Sequence, residues 1–155
     1  ARSIFQSRKK VEFIPLGYTL NEDHDLIVHF EIINHSTTAI SIVNISYIYD
    51  GEHYSCSKER AIAESIYHER MHVPCLKDFY TQPFPLQLVG RGGTSEYIRF
   101  ELPPEIHPDF SKPQTFQASA NRGKVTEMKL SLSDPSSSSL RKHHIPTSIR
   151  LFFRK

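Results

Sequence analysis

Five consecutive residues of this 155-residue chain, His68-Glu69-Arg70-Met71-His72, have the types and spacing for metal-assisted hydrolysis. If the segment is helical, its two histidines lie one turn apart on one face, so both imidazoles can bind one zinc ion. Glu69 is then placed to polarise a water molecule on the metal.

The same residues resemble the H-E-x-x-H motif of the zincin group of zinc proteases. The resemblance implies a small zinc metallopeptidase with His68 and His72 as metal ligands, Glu69 as general base and Asp78 as a third ligand. It covers only the motif, and Cys75 stands where the metzincin subgroup carries a glycine. In a chain with nine histidines so short a match arises by chance in roughly three of every hundred sequences of this composition, and a solvated helix face is the simpler interpretation.

One short helix, from Ser57 to His72, is predicted to carry this motif. Ile62 and Ile66 lie four positions apart, and no glycine or proline interrupts the segment before Pro74. Serine at position 57 is a residue type that caps helix N-termini. We therefore expect one helical insertion in a chain that otherwise alternates.

Alternation of apolar and polar residues predicts antiparallel strands through most of the chain. In the clearest strand, over positions 26–33, His29 and Glu31 point away from a continuous apolar face. That face consists of Leu26, Val28, Phe30 and Ile32.

Breaks in the alternation predict turns and irregular positions. The apolar residues change from even to odd positions at Ile42-Val43, which predicts a bulge. Asp50-Gly51 predicts a tight hairpin turn, and Pro15 places the first strand at a sheet edge. The polar segment 34–38 has the length of a hairpin loop.

About eight short strands, turn signals between them and one helical insertion predict a mainly β fold, an antiparallel β-sandwich of immunoglobulin-like type. A barrel is the nearest alternative, since its strands alternate in the same way. Residues 11–155 are expected to form a single domain. Residues 1–10, with the basic run Arg8-Lys9-Lys10, are expected to be a flexible segment, or alternatively the end of a preceding membrane anchor.

The charge is nearly balanced, with 19 basic and 17 acidic residues and a net charge of +2. A field this weak does not draw nucleic acid to the whole surface, and no nucleic-acid partner is predicted. No apolar run reaches the roughly 20 residues of a membrane-spanning helix. No transmembrane segment is therefore predicted in this chain.

The cysteines and the asparagine triplets leave the compartment open. Cys56 and Cys75 are equally compatible with one bridge and with two free thiols. Asn34 and Asn44 each begin an N-glycosylation triplet, a pattern too short to decide localisation.

These patterns favour a non-catalytic interaction or accessory module, without a cofactor, that presents loops or a sheet edge to a protein partner. The long connections at 57–82 and 103–114 are the expected binding regions. The zinc metallopeptidase is the first alternative. A carbohydrate-binding module is the second, with Tyr47, Tyr49 and Tyr54 as a stacking surface, although the first two share a face with apolar core positions.

Overall fold

A computed structural model describes residues 11–121 and 125–132, which fold as antiparallel β-structure. The strands in this part of the chain are β1 Val11–Leu20, β2 Asp25–Asn34, β3 Ile40–Tyr49, β4 Glu52–Ser55, β5 Ile62–Arg70, β6 Val73–Tyr80, β7 Leu86–Leu88, β8 Gly93–Glu101, β9 Gln114–Ala120 and β10 Val125–Leu130. The mainly β, antiparallel fold class is confirmed. The helical insertion is wrong, because β5 and β6 occupy that region as a hairpin.

Most of the strands belong to two sheets. The first has the order β1-β2-β8, and the second has the order β10-β9-β3-β4, with β7 paired to β3. β5 and β6 form a separate two-stranded sheet. One isolated bridge connects Cys56, just beyond β4, with Phe100 of β8.

The core lies between the two main sheets. The predicted apolar face of β2 is buried, and all four of its side chains are 0% exposed. Phe30 meets Phe116 of the second sheet edge to face, with ring centroids 5.5 Å apart, and Phe100 packs against Tyr47. Two sheets packed across one apolar layer are a sandwich arrangement. The immunoglobulin-like type remains a prediction.

Three of the predicted turn and irregular features are present in the structure. The β3–β9 register shifts between Ile42 and Asn44, which is the predicted bulge. Asp50 and Gly51 both have positive φ, so β4 folds back on β3. β1 pairs only with β2 in the described part of the chain and is irregular after Pro15, as an edge strand is expected to be.

The segment 34–38 is not the hairpin loop that its length predicts. It carries the chain from the first sheet to the second, since β2 and β3 belong to different sheets. The fully buried Asn34 stabilises this crossing: its Nδ2 donates to the carbonyls of Thr38 and Val89, each at 2.9 Å. Its Oδ1 accepts from the Ser36 backbone N–H at 3.0 Å.

Several sequence predictions lie partly or wholly outside the described residues. The flexible segment 1–10 falls among residues that the structure does not describe, as does the end of the predicted domain, 133–155. Within residues 11–121 and 125–132, no helix has the length and apolar character needed to span a bilayer.

Candidate functional site

The β5–β6 hairpin turns at Met71-His72. Both turn residues have positive φ, 53° and 65°, as a two-residue type I′ turn requires. Neither is glycine or asparagine, so the turn holds a conformation that ordinary side chains disfavour. The ladder beyond it pairs Arg70 with Val73, Glu69 with Pro74 and Tyr67 with Leu76.

The hairpin carries most of the exposed large apolar side chains. The described residues contain eight such side chains, and five of them belong to residues 62–80. Their exposed fractions are Ile62 53%, Met71 89%, Val73 62%, Leu76 50% and Tyr80 41%. Exposed apolar side chains concentrated on one element are typical of an interaction surface.

The base of the hairpin is attached to the first sheet through aromatic rings. The Phe79 ring packs against Tyr97 of β8 at a centroid distance of 6.0 Å. Tyr97 in turn stacks on His29 of β2, with centroids 4.2 Å apart and planes 5° from parallel. Thr81, just beyond β6, forms a bridge with Tyr97 and donates its backbone N–H to the carbonyl of Ala61. These contacts fix where the hairpin leaves the body.

His29 is the titratable group beneath this attachment. Its Nδ1 is buried and has no hydrogen-bond partner among the described residues. Burial lowers the pKa of His29 from 6.5 to about 4, because the protonated ring is poorly solvated there. The imidazole that stacks on Tyr97 is therefore neutral at neutral pH.

The structure does not place the H-E-x-x-H residues on a helix. His68 lies within β5 opposite Cys75, whereas His72 lies in the turn, so the one-turn spacing on a common helix face is lost. Glu69 is exposed near the tip, and Asp78 accepts a hydrogen bond from the Ser65 hydroxyl at 2.6 Å. The residues that the structure describes contain no group of three or more His, Cys, Asp or Glu able to hold a metal ion.

The two cysteines are free thiols in different environments, so the bridged alternative is wrong. Cys56 is buried and its Sγ lies 3.4 Å from the Asn44 Oδ1, which accepts its weak hydrogen bond. Burial raises the pKa of Cys56 and keeps it protonated. Cys75 is exposed on β6.

The three tyrosines of the carbohydrate alternative do not share one open face. Tyr47 is fully buried, donates its hydroxyl to the Gln114 Oε1 at 2.5 Å, and has its pKa raised to about 12 by burial. Tyr49 and Tyr54 are partly buried against the core. Tyr47 therefore belongs to the core, as its alternation with apolar residues predicts.

The sequence patterns did not identify the exposed apolar residues of the hairpin tip and of β6 as functional. Met71, Val73 and Leu76 fall within the predicted binding region 57–82, but the helical interpretation assigned them no role. A usable signal exists in the run Val73–Tyr80, because six of its eight residues are apolar or aromatic and Pro74 excludes a helix interior.

Comparison with known proteins does not assign the chain to a family. No family model matches it, and no curated protein matches it. Among solved structures, the apo PCuAC domain from PmoF1 is 12% identical with a TM-score of 0.41, over 82% of this chain and 96% of that one. The apo PmoF2 PCuAC domain is 10% identical with a TM-score of 0.41, over 84% and 94%. The copper-bound PCuAC domain from PmoF2 is 8% identical with a TM-score of 0.39, over 82% and 95%. Likeness at this level carries no functional argument.

Proposed function

We propose that this chain is a non-catalytic binding module whose β5–β6 hairpin engages a protein partner. The observation that supports this proposal is the concentration of exposed large apolar side chains on residues 62–80. The other exposed side chains of this class in the described residues, Val43, Val89 and Val125, lie singly on other parts of the chain. Isolated exposed valines are ordinary, whereas a group of exposed apolar side chains on one hairpin is typical of a surface that a partner covers.

Burial of such a surface is a source of binding free energy. Apolar area removed from water contributes roughly 25 cal/mol per Å², although much of this is offset by the loss of freedom on association. Met71 and Val73 stand at the tip, where a partner reaches them without moving the body of the domain. The hairpin is thus suited to insert into a partner groove or to lie along a partner surface.

Polar groups on the hairpin suit a protein partner better than a lipid. Charged residues Glu69 and Lys77 are exposed beside the apolar side chains, and the Arg60 guanidinium lies 4.2 Å from the centre of the Tyr80 ring. Aromatic and apolar anchors with a charged rim are typical of protein interfaces.

Site-specific photo-cross-linking in the native host tests the proposal. The photoreactive residue p-benzoylphenylalanine replaces Val73 in one variant and Val125 in a matched control. Both valines are exposed, 62% and 56%, and each lies at one end of a strand. We expect one discrete protein adduct from position 73 and none of that mass from position 125, because only the hairpin enters the interface.

Equal adducts from both positions, or the same adduct from position 125 alone, would place the interface elsewhere and contradict the proposal. A second photoreactive variant at Met71 serves as a replicate. It should cross-link to the same partner as the Val73 variant, since the two positions are close along the chain at one end of the hairpin.

A further inference from the structure

The hydrogen-bond pattern of the β5–β6 hairpin follows from its turn. In a two-residue type I′ hairpin, the pair that flanks the turn is hydrogen bonded, and such pairs then alternate with non-hydrogen-bonded ones. Here the flanking pair is Arg70 and Val73, so Glu69–Pro74 and Tyr67–Leu76 are non-hydrogen-bonded pairs. The backbone N–H and C=O groups of these residues point away from the hairpin, towards its two outer edges.

Two features of the hairpin agree with this assignment. Side chains approach most closely in non-hydrogen-bonded pairs, and the Ser65 hydroxyl contacts the Asp78 carboxylate at 2.6 Å in such a pair. Pro74 lacks a backbone N–H, and its position in an outward-facing pair means that no bond within the hairpin is lost.

The two outer edges therefore differ. The edge of β6 carries Pro74 and Lys77, two residue types that discourage the addition of another strand. The edge of β5 contains neither proline nor lysine in Ile62–Arg70, and Tyr67 and Glu69 direct their backbone groups outwards from it. In the described part of the chain no strand other than β6 pairs with β5.

Three other edge strands of the described residues carry features that oppose strand addition. β1 contains Pro15, and β4 has only four residues. β10 carries the exposed Lys129. Each of these features is a known protection of an edge strand.

We propose that the partner contributes an extended segment that adds to the outer edge of β5 as an antiparallel strand. This inference rests on the proposed function of the hairpin and names the form that the partner takes. Tyr67 and Glu69 would each exchange two backbone hydrogen bonds with the added strand.

The side chains of β5 specify what the added strand presents. Tyr67 is partly exposed and favours an apolar or β-branched neighbour across the strands. Glu69 is exposed and makes no ion pair within the described residues, so its carboxylate favours a lysine or arginine opposite it. The expected segment has an apolar residue two positions after a basic one.

A synthetic peptide tests this directly. The probe is the fluorescently labelled octapeptide Thr-Val-Thr-Lys-Thr-Val-Thr-Val. When the lysine lies opposite Glu69, the next valine lies opposite Tyr67, and its N–H points to β5. N-methylation of that valine should weaken binding, measured by fluorescence anisotropy, about tenfold or more. N-methylation of the threonine between them, whose N–H points away, should change binding less than about twofold.

Charge reversal provides an independent check. Glu69→Lys should make the chain prefer a peptide with glutamate in place of lysine by several-fold, because the opposed pair changes sign. Equal tolerance of both N-methyl groups, or no binding of the probe at millimolar concentration, would overturn the inference. Concentration-dependent dimerisation blocked by Glu69→Lys would also overturn it, since a second copy would then occupy the edge. Cross-linking from position 73 would persist in all three cases if the proposed function is right.

Discussion

Asn34 shows how one buried polar side chain stabilises a connection between two sheets that the length of the segment does not predict. The residue begins a sequence triplet typical of glycosylation, yet it is 0% exposed and its amide bonds to the backbone of two loops. A glycosylation site needs access to solvent, so Asn34 cannot be glycosylated in the folded chain. The Asn34 side chain bonds to the backbone of the segment that follows it and to the backbone just after β7. These bonds stabilise the crossing from one sheet to the other, where a hairpin loop was expected.

Replacement of this asparagine should be costly. Asn34→Ala leaves the Thr38 and Val89 carbonyls and the Ser36 N–H without their partner, and we expect a loss of about 2 to 4 kcal/mol in the free energy of unfolding. Urea denaturation measures it. The matched control is Asn44→Ala, where the partly exposed amide bonds to the hydroxyls of Ser46 and Ser55 and accepts a weak bond from the Cys56 thiol, and about 1 kcal/mol or less is expected. Equal losses in the two variants would show that the loop contacts do not set the stability.

At the scale of the element, the hairpin at 62–80 shows why the helix prediction failed. Ile62 and Ile66 are four positions apart, a spacing that satisfies a strand period of two as well as a helix turn. The register shift between Ile62 and Glu64 then disturbs the alternation that would have favoured a strand. Asp50-Gly51 was recognisable because its residue types suit positive φ, whereas Met71-His72 adopts the same kind of turn without them.

The attachment of the hairpin should weaken in acid. His29 has a pKa of about 4 in the fold and an ordinary value of 6.5, so the unfolded chain binds the proton more readily between these values. The stabilisation is complete above about pH 6.5 and is lost as the pH falls towards 4. Because the ring is only partly buried, we expect a loss of roughly 1 to 2 kcal/mol between pH 7 and pH 4.

Urea unfolding at several pH values measures this dependence. His29→Gln removes the titrating group and should flatten the curve between pH 6.5 and pH 4 relative to the unsubstituted chain. His53→Gln, at an exposed position of β4, is the control for loss of a histidine elsewhere in the chain. An identical slope in all three proteins would show that His29 is not destabilised when protonated.

At the scale of the whole molecule, alternation predicted the two packed sheets because one face of each main sheet is buried and the other face is more exposed to water. Phe30 and Ile32 are fully buried, as the period of two requires, and the bulge near Ile42 follows from the change of phase. Alternation does not specify which strands are neighbours, because pairing depends on contacts distant in the sequence. The hairpin at 62–80 was missed for a different reason, because the spacing of its apolar residues fits a helix as well as a strand, and the exposed apolar surface was missed with it.

The account depends most on the claim that this surface is where a protein partner binds. The direct measurement is the affinity of the cross-linked partner, by calorimetry, for the unsubstituted chain and two variants. The hairpin variant combines Val73→Ser with Leu76→Ser, and the control is Val125→Ser, all at exposed positions. We predict at least about tenfold weaker binding for the hairpin variant, because two apolar contacts are lost, and an unchanged dissociation constant for the control. An unchanged affinity of the hairpin variant, or an equal loss in the control, would contradict the claim.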